Sequence, residues 1–123
     1  MTRPCRLLAA LPLAFGLAVL APRAALAHAV LVASKPAAGA TVPAGPATLT
    51  LRYNSRIDRV RSRLSLTAPD HHETVLAIGR KGAADELRST AVLAPGAYTI
   101  HWQVLAIDGH ITRGDVPFKV AAP

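Results

Sequence analysis

The fold is decided by a stretch in the last third of the chain, Tyr98-Thr99-Ile100-His101-Trp102-Gln103-Val104. Bulky apolar residues occupy every second position of this stretch, and polar residues stand between them. Successive side chains of a β-strand point to opposite faces, so the alternation predicts a strand with one buried face. Pro95 and Gly96, one residue before it, predict the turn from which this strand begins.

Similar short patterns recur before and after this stretch. Leu49, Leu51 and Tyr53 alternate with polar residues, and further apolar patterns lie at 64–66, 75–78, 87–93 and 116–120. Glycine and proline residues divide them, without the spacing of βαβ units and without an internal repeat. About seven short strands predict an all-β fold: an immunoglobulin-like antiparallel β-sandwich with Greek-key connections, or a small barrel of that character.

Two other segments predict positions within the sheets. The continuous apolar run Ala29–Ala33 is typical of a strand that is covered on both faces. Pro117 interrupts the alternation of the last strand, and a proline has no N–H to donate to a neighbouring strand. We therefore expect the last strand to lie at a sheet edge.

The amino-terminal residues have the pattern of an export signal. Arg3 and Arg6 precede an apolar run from Leu7 to Leu20, which is shorter than the roughly 20 residues that span a bilayer. Small residues at Ala25 and Ala27 then fit the A-x-A pattern of a signal-peptidase site. The pattern predicts a cleaved signal peptide at residues 1–27 and a mature domain at 28–123, and it disfavours an uncleaved membrane anchor.

Composition limits what the mature domain can be. The chain has 123 residues, which leaves enough for one domain after cleavage but too few for two separate cores. It carries 14 basic against 7 acidic residues, and three of the basic ones belong to the signal, so the mature excess is mild. An exported protein does not meet nucleic acid. We expect a soluble monomer without a membrane span.

Cysteine usage narrows the possible metal chemistry. The one cysteine, Cys5, precedes the apolar run and would be removed with the signal. The mature domain can then form neither an internal disulfide nor a thiolate metal site. A lipoprotein is also not expected, because a lipidated cysteine would have to lie at the cleavage point, after the apolar run.

Cleavage after Ala27 would create a metal ligand. The mature chain would begin with His28, which offers an α-amine and an imidazole together, and Asp108-Gly109-His110 supplies a carboxylate and a second imidazole. Three nitrogens and an oxygen without sulfur suit Cu(II), which also outcompetes Zn(II) for such ligands. The alternative interpretation of Asp108-Gly109-His110 is a hairpin corner with a solvated histidine.

Taken together, these motifs resemble the CopC family over nearly the whole mature chain. The matching pieces are His28-Ala29, Ser34-x-Pro36-Ala37-x-Gly39, Tyr98-Thr99-Ile100-His101-Trp102, and Asp108-Gly109-His110 before Gly114 and Phe118. The resemblance implies a periplasmic, non-enzymatic β-sandwich protein of copper resistance or homeostasis, which sequesters or delivers copper beside a CopD-type inner-membrane protein. It further implies one Cu(II) per mature chain. This ion would be bound by the α-amine and the imidazole of His28, by the imidazole of His110 and by the carboxylate of Asp108.

The chain departs from the family pattern in two places. Many members have a glutamate where Ser55 stands here, so no ligand is expected at that position. Some members bind Cu(I) through a methionine-rich loop, whereas the one methionine of this chain, Met1, would be removed with the signal. Thioether ligation of Cu(I) is therefore not expected.

Other residues have simpler interpretations. His71 and His72 are typical of a polar turn rather than of an auxiliary metal site, and His101 is typical of a solvent-facing strand position. The basic stretch, with arginines at 52, 56, 59, 61 and 63, is typical of a solvated face, and docking of an acidic partner is its alternative interpretation. Two alternative functions remain from the residues alone. One is a copper oxygenase, since an amino-terminal histidine chelate also suits oxygen chemistry, although Asp108 would occupy a position that such chemistry needs open. The other is a metal-free structural domain of immunoglobulin type.

Overall fold

The computed structural model describes residues 28–123, and the predicted signal peptide at 1–27 lies outside the described residues. The described residues form eight β-strands and no helix, so none of them belongs to a helix that could cross a membrane. The strands are β1 (Leu31–Lys35), β2 (Thr41–Pro43), β3 (Gly45–Tyr53), β4 (Ile57–Thr67), β5 (Glu73–Leu76), β6 (Glu86–Leu93), β7 (Gly96–Ala106) and β8 (Ile111–Ala121).

The strands form two sheets, which confirms the predicted sandwich. One sheet has the order β1-β3-β6 and the other has the order β2-β8-β7-β4-β5. The chain crosses between the sheets after β1, β2, β3, β5 and β6, so strands that pair are often distant in sequence. All pairs are antiparallel except β2 with β8, where Thr41 lies opposite Lys119 in a parallel ladder.

The residues predicted to face the core do so. Leu49, Leu51 and Tyr53 of β3 are buried, and so are the four apolar residues of β7 from Tyr98 to Val104. The rings of Tyr53 and Trp102 meet edge to face with centroids 5.2 Å apart, which is an arrangement that aromatic pairs prefer. Burial raises the pKa of the Tyr53 hydroxyl, which therefore stays neutral inside the sandwich.

The prediction for Ala29–Ala33 is wrong. β1 lies at an edge of the three-stranded sheet, and the side chains of Val30 and Val32 are about half exposed. The prediction for Pro117 is correct in part. β8 lies between β2 and β7, but β2 pairs only with residues Lys119–Ala121, so Pro117 lies beyond the end of that ladder.

One arginine of the basic stretch has a structural role. The guanidinium of Arg59 donates to the backbone carbonyls of Glu86, Arg80, Gly82 and Ala83, with the first three contacts at 3.1, 3.2 and 2.8 Å. These contacts hold the loop between β5 and β6 against β4. The expectation of a uniformly solvated basic face is therefore wrong for Arg59.

The indole of Trp102 lies directly over Gly114, which predicts a stability defect in Gly114→Ala. A Cβ added at Gly114 would come within 2.4 Å of Trp102 Cζ2 and 2.7 Å of Cε2, which real Cβ atoms essentially never do. We expect a loss of about 1–3 kcal/mol in the free energy of unfolding, because the buried ring has to move. Urea unfolding would measure the loss, and the fluorescence of Trp102, the only tryptophan, would report the displacement.

Gly79→Ala is the matched control. Its added Cβ would meet ordinary contacts only, the nearest at 3.6 Å from the Arg88 carbonyl oxygen. We expect a change within about 0.5 kcal/mol, as for other surface substitutions. Equal stability of the two variants would show that Trp102 can move aside without cost.

Candidate metal centre

The hairpin between β7 and β8 carries two of the predicted ligands. The amide of Gly109 donates to the carbonyl of Ala106 at 2.9 Å, and the amide of Ala106 donates to the carbonyl of His110 at 2.8 Å. Gly109 has a φ of 88°, which a residue with a Cβ rarely adopts. This is a three-residue hairpin loop with glycine in the left-handed position. The hairpin-corner interpretation of Asp108-Gly109-His110 is thus confirmed, and it does not compete with the metal-site interpretation.

The segment before β1 is fixed beside this hairpin. The carbonyl of Ala29 accepts a hydrogen bond from Thr112 Oγ1 at 2.8 Å, and the Ala29 side chain is buried. The amide of Val30 donates to Asn54 Oδ1 at 2.8 Å, and the Asn54 amide donates back to the Val30 carbonyl at 3.0 Å. The backbone directly after His28 is therefore fixed to both sheets of the sandwich.

These anchors bring the two predicted histidines together. The ring centroids of His28 and His110 are 4.7 Å apart, with an angle of 80° between the ring planes. Metal–nitrogen bonds to imidazole are about 2 Å long, so two rings at this separation can bind one ion. Both residues are exposed, which leaves the pair accessible from solvent.

Asp108 contacts His110 twice. Its Oδ1 accepts from the His110 amide at 3.1 Å, and its Oδ2 lies 2.9 Å from Nδ1 of the His110 ring. The backbone hydrogen bond is the main cause that lowers the pKa of the Asp108 carboxyl. Desolvation is the second-largest effect and raises this pKa, whereas the hydrogen bond from the ring and the charges of His110 and His28 lower it further. The carboxylate is therefore charged at neutral pH, and it leaves Nε2 of His110 as the free ring nitrogen.

The described residues contain no group of three or more His, Cys, Asp or Glu side chains arranged to enclose a metal ion. The structure therefore brings together a pair of imidazoles with a carboxylate hydrogen-bonded to one of them. A further nitrogen would have to come from the main chain. The predicted α-amine of His28 is such a group.

The other histidines lie elsewhere. His71 and His72 are exposed in the turn between β4 and β5, where His71 has a φ of 68° and the His72 amide donates to Asp70 Oδ1 at 3.0 Å. This confirms the polar turn. His101 lies on the outer face of the five-stranded sheet, as predicted, but it is half-buried, and its two ring nitrogens contact Asp115 Oδ1 at 2.7 Å and Thr67 Oγ1 at 2.8 Å.

The residues that position the site were not recognised from the sequence. Thr112 and Asn54 hold the segment after His28, yet neither has a side chain that suggests metal chemistry. The one available signal was the place of Asn54 directly after a predicted strand, where asparagine commonly binds neighbouring backbone. Ser55 follows Asn54 directly, and its hydroxyl is buried without a hydrogen-bond partner among the described residues.

The described residues form a two-sheet β-sandwich in which His28, before β1, lies beside His110 of the β7–β8 hairpin. Comparison with known proteins identifies the family. The family model described as the CopC domain matches residues 31–121. The chain belongs to the CopC family.

Individual relatives agree with this assignment. Copper resistance protein C of Xanthomonas campestris pv. juglandis is 31% identical over 112 residues, which cover 84% of this chain and 87% of that protein. Protein YobA of Escherichia coli (strain K12) is 33% identical over 98 residues, covering 76% of this chain and 79% of that protein. The crystal structure of CopC from Methylosinus trichosporium OB3b superposes with a TM-score of 0.66 at 31% identity, covering 76% of this chain and 93% of that one.

Proposed function

We propose that the mature chain, beginning at His28, is an exported protein that binds one Cu(II) and sequesters or delivers it in copper resistance or homeostasis. The observation that carries the proposal is the approach of the His28 and His110 rings to 4.7 Å, with Asp108 hydrogen-bonded to His110. Membership of the CopC family and the likeness to a copper resistance protein support copper as the cargo.

The proposed ligands are the α-amine and imidazole of His28 and the imidazole of His110. Two imidazoles and a primary amine supply three nitrogens in the arrangement that Cu(II) prefers. Asp108 contributes its carboxylate to the site, where its negative charge lowers the net charge of the ion and its ligands together. By accepting the hydrogen bond from Nδ1, it also orients the His110 ring so that Nε2 can face the metal.

We propose binding rather than catalysis. The charged carboxylate of Asp108 next to His110 favours a closed set of ligands, whereas a copper oxygenase needs an open position for oxygen. A periplasmic location and a CopD-type inner-membrane partner belong to the same proposal, and they follow from the signal pattern and the family.

The ligand set predicts the oxidation state. We expect one Cu(II) per mature chain, bound much more tightly than Cu(I), because all the ligands are nitrogen or oxygen and none is sulfur. Competition with chelators specific for each oxidation state measures both affinities on protein that begins at His28. Preference for Cu(I), or a second tight Cu(II) equivalent, would contradict the single-site proposal.

A further inference from the structure

A groove of about 870 Å³ lies beside the hairpin that carries Asp108 and His110. One wall consists of Arg56 and the start of β4 up to Arg61. Another consists of Arg80 and Ala84 in the loop that Arg59 holds in place. The end of β7 and its hairpin form the third side, including Ile107 and Gly109. We propose that this groove is the docking site for an acidic segment of a partner protein.

The charge of the lining carries the first part of the argument. Four arginines line the groove, at 56, 59, 61 and 80, and Asp58 is the one acidic residue among the lining. The guanidinium of Arg59 is already bonded to backbone carbonyls. Arg61 lies 4.0 Å from Asp58 with its side chain 75% exposed, so this pair is weak. Arg56 and Arg80 are exposed, and within residues 28–123 their side chains make no ion pair.

The same rim presents apolar side chains. Val60 is 94% exposed and Ile107 is 72% exposed. The pairing of β4 with β7 passes from Asp58–Leu105 to Arg63–Gln103, so residues 59–62 protrude as a bulge that carries Val60 outward. Bulges commonly redirect a side chain next to a functional site. A fitting occupant therefore combines carboxylates with some apolar side chains.

Charge and shape favour an acidic segment over the other occupants. Residues 1–27 contain Arg3, Arg6 and Arg23 and no acidic residue, so the groove would repel this segment of the chain. A second mature copy would bring further positive charge, since residues 28–123 carry 11 basic and 7 acidic residues. A flat anionic membrane would match the charge of the exposed arginines but would not fill the groove between its walls, so the vesicle measurement below tests it as a separate outcome. An acidic segment of a different protein fits both the charge and the shape.

The place of the groove indicates which kind of partner binds there. Ile107 and Gly109, which line the groove, flank Asp108 in the hairpin. A segment in the groove would therefore lie beside the proposed copper ligands, as a protein that gives or takes copper requires. This last step rests on the proposed function, whereas the binding of an acidic segment does not.

The test is a titration of mature protein with a short fluorescent peptide of alternating glutamate and leucine. Binding is measured by the fluorescence anisotropy of the peptide and by the NMR chemical shifts of the protein's backbone amides. We expect shift changes confined to the groove. Arg56→Glu and Arg80→Glu should each weaken binding by about tenfold or more, because a repulsion replaces an attraction. Lys119→Glu is the matched control with the same change of charge, on an exposed residue outside the groove lining, and it should bind like the unaltered protein.

Further measurements keep the outcomes distinct. Equal weakening by Lys119→Glu, or equal binding of a peptide of lysine and leucine, would overturn the proposal. A vesicle titration tests the membrane alternative, with vesicles that contain phosphatidylglycerol. The proposal would also be overturned if the two arginine variants lost binding to these vesicles but kept binding to the peptide. If the charge-reversal variants do not fold, Arg56→Gln and Arg80→Gln replace them. Each should lose less peptide affinity than its charge-reversal counterpart, and each should still bind the peptide more weakly than the unaltered protein.

A Cu(II) titration of the same samples separates the two proposals. We expect unchanged copper affinity in the groove variants, because none of the substituted residues is a proposed ligand. Peptide binding without copper binding in the unaltered protein would contradict the proposed function and leave the groove assignment intact. Copper binding without peptide binding would contradict the groove alone.

Discussion

Blocking the α-amine of His28 is expected to weaken Cu(II) binding by at least about 100-fold, since loss of even an outer hydrogen-bond partner costs 10- to 100-fold. In an uncleaved or extended chain the nitrogen of His28 belongs to a peptide bond, and its lone pair is delocalised into the carbonyl. As a free α-amine it has an ordinary pKa of about 7.7 to 8.0 and loses its proton readily when a metal binds. Losing it removes one nitrogen and the chelate ring with the imidazole.

Two variants make this measurement. One is mature protein with an acetylated α-amine, and the other is protein with one alanine added before His28. Acetylation is the sharper change, because it adds no new amine, whereas the added alanine brings an amine at a different position. The fold should survive both, since His28 is exposed and the anchors of the segment lie at Ala29 and Val30.

Cu(II) affinity and paramagnetic resonance decide the outcome. We expect the spectrum of the blocked protein to lose one coordinated nitrogen, with weak residual binding through His110 and Asp108. Thermal unfolding of the metal-free forms is the control for the fold. Equal affinity and identical spectra would show that the α-amine is not a ligand, and the link between cleavage after Ala27 and copper binding would fail.

The parts of the fold that depend only on residues adjacent along the chain could be predicted from the sequence. The alternation from Tyr98 to Val104 predicts a buried face without knowledge of the rest of the chain, and these residues are buried. The Asp108-Gly109 turn is likewise local, because the left-handed φ of 88° at position 109 requires glycine or a residue that tolerates it.

The errors concern residues whose surroundings come from distant parts of the chain. The apolar run at 29–33 has the composition of a buried strand, but only the order of strands decides that β1 lies at an edge. Arg59 binds carbonyls more than twenty positions away, and nothing in its own neighbourhood indicates this. His101 is half-buried because the register of β7 with β8 places it opposite Asp115.

The candidate site combines both kinds of information. Its ligand types could be chosen from chemistry, since an amino-terminal histidine and a second imidazole suit copper. Their approach could not be derived from the residues, because Thr112 binds the carbonyl of Ala29 across 83 positions of sequence. The resemblance to the CopC family supplied that expectation, and the described geometry of His28 and His110 agrees with it.

Substitution of His110 is expected to have an effect as large as that of blocking the α-amine. His110→Ala removes one of the two imidazoles that lie 4.7 Å apart, and it deprives Asp108 of its ring contact. We expect Cu(II) affinity to fall by at least about 100-fold, as for the loss of any direct ligand. The hairpin should persist, because its closing contacts use the main chain of Ala106, Gly109 and His110.

The remaining histidines provide matched controls for His110→Ala. His101→Ala removes contacts with Asp115 and Thr67 on the outer face of the sheet, and it should leave the Cu(II) affinity nearly unchanged. The side chains of His101 and Asp115 are partly exposed, at 38% and 63%, and their contact contributes at most about 1 kcal/mol to stability. The protein should therefore still fold. A double change of His71 and His72 to alanine should likewise spare the site, since both lie in an exposed turn.

Paramagnetic resonance tells ligand loss from indirect weakening. His110→Ala should reduce the number of coordinated nitrogens, while the His101 and His71/His72 variants should keep the spectrum of the unaltered protein. A changed nitrogen count in His101→Ala would make His101 a ligand, which the outer face of β7 does not allow without a different fold in solution. Full affinity in His110→Ala would contradict the proposed site, because one histidine and its amine would then suffice to hold the copper.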